Sequence, residues 1–131
     1  VTASFQAAVK AWGAKALVRV DEIRRASILE LFSLVIEGTP VDTGLLRGNW
    51  QTSLNAPILT KTQRLDKAGA AAKAEALANL GGLVDIVFMV NSLPYAEKIE
   101  YEGYSAQAPV GMVRKNKIRW PEIVAAKAKG Y

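Results

Sequence analysis

The amino-acid sequence predicts an α+β domain in which a long buried N-terminal helix packs on a small, mostly antiparallel sheet, with further helices at its periphery. Three patterns predict it: an apolar helical stripe that thickens toward Glu37, two β-like segments at 49–55 and 83–90, and an alanine-rich run between them. The 131 residues suit one domain spanning 1–131, a size that buries roughly two thirds of the unfolded chain's surface.

From the N-terminus, Ser4 is placed to cap a helix of about residues 4–12, in which Phe5, Ala8, Val9 and Trp12 recur at helical spacing, and Gly13 reads as a stop or kink. A second helix is expected from about Ala14 to Glu37. Leu17, Val20, Ile23, Leu31 and Leu34 form its stripe, while Ile28, Leu29, Phe32, Val35 and Ile36 fill the other faces of its second half, which should be buried on most sides. Gly38 and Pro40 end it. The segment 49–55 alternates, placing Trp50, Thr52 and Leu54 on one strand face. Asp66 can cap an alanine-rich helix over Lys67 to Leu80, expected to be peripheral or packed on a neighbouring subunit. Residues 83–90 read as a strand apolar on both faces except at Asp85, hence central or covered by a partner. Asp85 itself needs an arginine if buried, or points to solvent. Ser92 and Pro94 open a short helix to about Tyr101, and a last helix from about Val110 is expected to kink at Pro121.

Composition removes most catalytic chemistry. With no cysteine and no histidine, disulfides, thiolate nucleophiles, Cys/His metal sites and histidine acid–base catalysis are excluded, and neither enzymatic activity nor a cofactor is expected. Residues 1–5 lack the basic start and apolar run of a signal peptide, and no uncharged apolar stretch of about 18 residues could span a bilayer. The expectation is a cytosolically made protein without a membrane partner. The net charge of +5 is lopsided: residues 1–113 carry 11 basic and 11 acidic side chains, whereas 114–131 carry Arg114, Lys115, Lys117, Arg119, Lys127 and Lys129 against Glu122. Such a basic tail could contact DNA phosphates, or could simply line a helix surface.

Asp42-Thr43-Gly44 matches the aspartic-protease tripeptide, in which two aspartates share a proton. A long helix ends just before it, where a protease needs an apolar strand. The preferred reading is mechanical: an Asx-type turn at Asp42 with Gly44 supplying a positive φ. Glu97, Glu100 and Glu102 read as a solvated helix face, with no further ligand to make a metal site.

Three runs in order, Thr39-Pro40-Val41-Asp42-Thr43-Gly44-Leu45-Leu46-Arg47-Gly48-Asn49-Trp50, then Val90-Asn91-Ser92-Leu93-Pro94-Tyr95-Ala96 with Ile99-Glu100-Tyr101-Glu102-Gly103, then Ala108-Pro109-Val110-Gly111-Met112-Val113-Arg114, resemble the neck and tail-completion proteins of long-tailed bacteriophages. The resemblance covers roughly residues 20–125 and implies a single connector domain, whose N-terminal helix of about 4–12 and basic tail 114–131 could extend for subunit contacts. It implies a structural virion protein at the head–tail interface, assembled in the host bacterial cytoplasm, that forms a ring, six-fold or alternatively twelve-fold. The implied partners are the portal, adaptor or head-completion protein on one side and the tail-terminator or tail-tube protein on the other, with non-specific DNA contact in the channel. On that reading Asp42, Arg47, Trp50, Leu93, Tyr95, Tyr101, Tyr104, Arg114, Lys115, Lys117 and Arg119 are candidate interface residues, since aromatics and arginines anchor interfaces most often. Trp50, Tyr95 and Trp120 are equally suited to the core. A basic DNA-binding accessory protein of phage assembly is the alternative.

Overall fold

A single helix of 36 residues, α1 (Thr2–Glu37), forms the spine of the chain in the computed structural model, which describes residues 2–130. At 1.5 Å per residue it is about 54 Å long. Gly13 neither stops nor kinks it. A helical glycine costs only about 1 kcal/mol against alanine, and Ala11, Ala14 and Ala16 around it favour continuation. The expected helices at 4–12 and 14–37 are therefore one rod. Burial is confined to its later part, where Ser27, Val35 and Ile36 are buried and most other positions half-buried.

After α1 come α2 (Leu45–Gly48), β1 (Trp50–Leu54), α3 (Ala70–Ala78), β2 (Val87–Asn91), α4 (Pro94–Glu102), α5 (Arg114–Lys117) and α6 (Trp120–Ala128). The two strands pair antiparallel, with Trp50 opposite Asn91 and Leu54 opposite Val87, giving an α+β fold. Trp50 and Thr52 face the interior as the alternation predicts. The second strand differs from expectation. Residues 83–86 form a turn because the Asp85 carboxylate accepts from the Gly82 N–H at 2.7 Å and from the Asn55 amide at 3.0 Å. Those bonds, Asn55 first, hold the Asp85 carboxyl below its ordinary value. What remains, Val87–Asn91, is half-buried throughout in a sheet of two strands and is not central.

A two-stranded sheet is marginal alone, and here helices complete it. Ala72 and Ala76 of α3 are fully buried, so the alanine-rich helix is not peripheral: its small side chains let α1 and β1 approach closely. It starts at Ala70, later than expected, because Gly69 is left-handed (φ 76°); Asp66 caps it from upstream by accepting from the Ala72 N–H at 2.9 Å. Arg24 and Arg25 of α1 donate to the carbonyls of Leu80 and Gly81 beyond its other end at 2.7–2.9 Å. Ser92 makes no cap for α4; the Asn91 side chain accepts from the Leu93 N–H instead. Pro121 lies in the first turn of α6, where its missing N–H costs nothing, so the expected kinked helix is two separate helices. The core cluster joins Val35 and Ile36 of α1 to Leu46, Trp50, Ala72, Leu93, Ala96, Ile99, Ala108 and Met112.

One buried relay ties this core to the end of α1. The Trp50 indole N–H donates to the Thr39 hydroxyl at 2.8 Å, and that hydroxyl donates to the Val35 carbonyl at 2.7 Å. Thr39→Val keeps the shape but orphans a buried N–H and a carbonyl, so urea unfolding should show a loss of about 1–3 kcal/mol; an unchanged midpoint would remove the relay from the account.

Candidate functional site

The segment between α1 and β1 is held by its own residues on one side and lines an open cleft on the other. Gly44 has φ 90°, and a β-carbon there would lie 2.6 Å from the Lys67 nitrogen; at Gly48 one would lie 2.1 Å from the Arg64 carbonyl oxygen. Only glycine allows the turn to press so closely on residues 64–67. The expected Asx turn is absent. The Thr43 hydroxyl, not Asp42, accepts from the Leu45 N–H at 3.3 Å, and the exposed Asp42 carboxylate makes no hydrogen bond or ion pair among the described residues.

Arg47 points inward. Its guanidinium donates to the carbonyls of Lys67 at 2.7 Å, Glu37 at 3.0 Å and Thr39 at 2.8 Å, so its cation sits at the C-terminal end of α1, where the helix dipole is negative. Trp50 is only 5% exposed and Leu93 is buried beside it. Both were expected at a subunit interface, and their side chains are instead spent within the chain, packed in the core.

The cleft, of about 630 Å³, is walled by 40–44 and 104–107, floored by Leu45, Leu46 and Ile99, and flanked by Tyr95 and Tyr104. The Gln107 side chain braces it by accepting from the Val41 N–H at 2.9 Å and donating to the Val41 carbonyl at 3.2 Å. Asp42 is its one charged lining residue. Burial, then the Asp42 carboxylate nearby, pushes the Tyr95 phenol above its ordinary value. Three of the expected interface residues, Asp42, Tyr95 and Tyr104, thus meet in one place.

Tyr101 and Arg114 lie on the outer side of α4. The Arg114 guanidinium stacks 4.6 Å from the Tyr101 ring centre and also binds Glu100. Glu100 is not solvated as expected: at 6% exposure its carboxylate accepts from the N–H groups of Met112 at 2.7 Å, Val113 at 2.6 Å and Arg114 at 3.1 Å. Sequence spacing gave no signal for this, because the donors lie 12 to 14 residues along in an irregular loop. Within the basic tail, Arg114 is thereby paired, Lys115 runs past Gly38 at the end of α1, and Arg114, Lys115, Lys117 and Arg119 are all exposed.

No family model, curated protein or solved structure matches the chain.

No helix is long and apolar enough to cross a membrane among the described residues. One large exposed surface falls on the N-terminal segment that was expected to extend for subunit contacts. Residues 3–20 of α1 stand clear of the domain, with Phe5, Val9, Trp12, Leu17, Val18 and Val20 all exposed, Trp12 at 72%. Periodicity had marked this stripe, yet a stripe alone does not tell whether the same chain covers it.

Burial raises the Glu100 pKa, but the hydrogen bonds from Val113, Met112 and Arg114 outweigh it and hold the carboxyl below its ordinary 4.5. A lowered folded-state pKa means that the stabilisation is complete above the unfolded value and is lost as pH falls through the folded one. Glu100→Gln should therefore cost about 2–4 kcal/mol at pH 7, where a charge-assisted cluster is broken. Urea unfolding from pH 7 down to pH 3 should show the gap between variant and native chain narrowing below about pH 4.5; a constant gap contradicts this role.

Proposed function

We propose that the chain is a non-catalytic structural subunit of a tailed-phage neck, assembling into a ring that joins the head connector to the tail. The observation that carries the reading is the exposed apolar arm of α1: a helix bearing Phe5, Val9 and Trp12 in solvent has a large apolar surface that association would bury. Beside it stands the resemblance of the Thr39–Trp50, Val90–Gly103 and Ala108–Arg114 runs to neck proteins. In this reading a ring, six-fold or twelve-fold, presents one surface to its neighbours and others to the portal side and the tail side. Tyr95, Tyr101 and Tyr104, all exposed, are available for those contacts, whereas Trp50, Leu93 and Arg47 act by shaping the surface from within. The virion head–tail interface would be its location.

Particles purified from infected cells and imaged at the neck should contain this chain in a fixed copy number that is a multiple of the ring symmetry. Its absence from assembled particles would refute the proposal.

A second reading, a basic accessory protein that binds DNA, is favoured by one observation. Lys117, Arg119 and Lys129 are exposed and form no ion pair among the described residues, while Lys127 pairs with Glu30. If those cations contact phosphates, neutralising Lys117 and Arg119 together should reduce the slope of log affinity against log salt by about 2. Equal slopes for the two proteins would eliminate the tail as a DNA contact.

A further inference from the structure

We propose that the N-terminal arm of one copy, residues 3–20, seats Phe5 and Trp12 in the Asp42–Tyr95–Tyr104 cleft of the next copy, making a head-to-tail contact. This rests on the self-assembly in the proposed function and names the surfaces that carry it.

The arm's stripe continues a face that is buried elsewhere. Phe5, Val9, Trp12, Ala16, Val20, Ile23 and Ser27 follow one another at three- and four-residue spacing, and Ser27, at the domain end, is fully buried. The same face therefore leaves the domain and runs on into solvent. Phe and Trp side chains each bury about 150–250 Å² when covered, so this end of the rod has much to gain from a partner.

Charge selects the partner surface. Residues 2–20 contain Lys10, Lys15 and Arg19 and no acidic residue. The cleft is lined by aliphatic and tyrosine side chains together with the polar Thr43, Ser105 and Gln107, and its one charged group is the unpaired Asp42 carboxylate. A helix with an aromatic stripe and a basic margin fits a cleft of aliphatic, tyrosine and polar side chains with an acidic rim. At about 630 Å³ the cleft has the size of typical ligand clefts and admits a large aromatic ring.

Geometry excludes the chain's own cleft. Trp12 lies 26 residues before Gly38, about 39 Å along a continuous helix, and the cleft begins just past that helix's far end at Pro40. The two complementary surfaces sit at opposite ends of one rod. Such an arrangement is heterologous, and repeated copies close into a ring or extend into a filament according to the rotation between them.

The chain has no cysteine, which allows single labels. Ala8→Cys marks the exposed arm and Ala106→Cys the exposed cleft wall. Mixing the two full-length variants under mild oxidation should give disulfide-linked dimers that neither gives alone, and the double variant should give a ladder. Trp12→Ser should weaken self-association at least tenfold by sedimentation while leaving the urea midpoint unchanged, because Trp12 supports nothing in its own domain. Asp42→Lys should weaken it as well, with partial rescue by Lys15→Glu. Cross-links from Ala8→Cys alone would mean that arms pair with arms, and would overturn the proposal. So would a chain that stays monomeric at millimolar concentration, or one captured only by portal or tail proteins. If neck particles contain the chain but no arm-to-cleft link forms, this contact fails and the neck assignment stands. If the link forms but virions lack the chain, the contact stands and the neck assignment fails.

Discussion

A helix that ends inside a domain leaves its last carbonyl oxygens without helical partners, and the way α1 satisfies them organises everything that follows. The Thr39 hydroxyl reaches the Val35 carbonyl and the Arg47 guanidinium takes those of Glu37 and Thr39, while the Gly38 N–H bonds back to Leu34. Because Thr39 also accepts the Trp50 indole N–H, the helix end, the turn and the first strand are fixed in one network. Loosening any one member exposes buried polar groups on the others, which makes the network cooperative.

The sheet depends on the same economy of polar groups. With only two strands, the outer edge of β1 would be free to pair with another chain. Arg64 donates to the carbonyls of Gly48 and Trp50 and to the Glu75 carboxylate, and Glu75 in turn accepts from the Thr52 N–H. Side chains thus occupy that edge. The buried Asn49 amide likewise binds Leu45 and Thr62 from both its ends. With its outer edge occupied in this way, β1 offers few free backbone groups to a further strand.

Holding the fold and lining the cleft thus fall largely to different residues of the same motif. In the Thr39–Trp50 run, Thr39, Arg47 and Trp50 face inward and hold the fold, while Pro40, Val41 and Asp42 line the cleft. Glu100 does the equivalent work on the other wall by gathering the 112–114 backbone, which leaves Tyr95 and Tyr104 to the outside.

Local pattern in the sequence determined the α+β class, the helix that ends at Glu37, the strand at Trp50–Leu54 with its inward residues, and the glycine-dependent turn at Gly44. Each depends on spacing over a few residues, and that is what a sequence carries directly. Tertiary structure decided the rest. Gly13 could not be read as a continuation because helix persistence across one glycine depends on small energies summed over the whole rod. Glu100 looked solvated because its partners are backbone groups brought near by a loop. The second strand starts late, at Val87, because Asn55, 30 residues away, meets the Asp85 carboxylate. Which aromatics are core and which are surface was equally undecided: Trp50 and Trp12 carry the same ring at the same kind of helical or strand spacing. Only folding, by placing Thr39 beside one and nothing beside the other, buried the first and left the second in solvent.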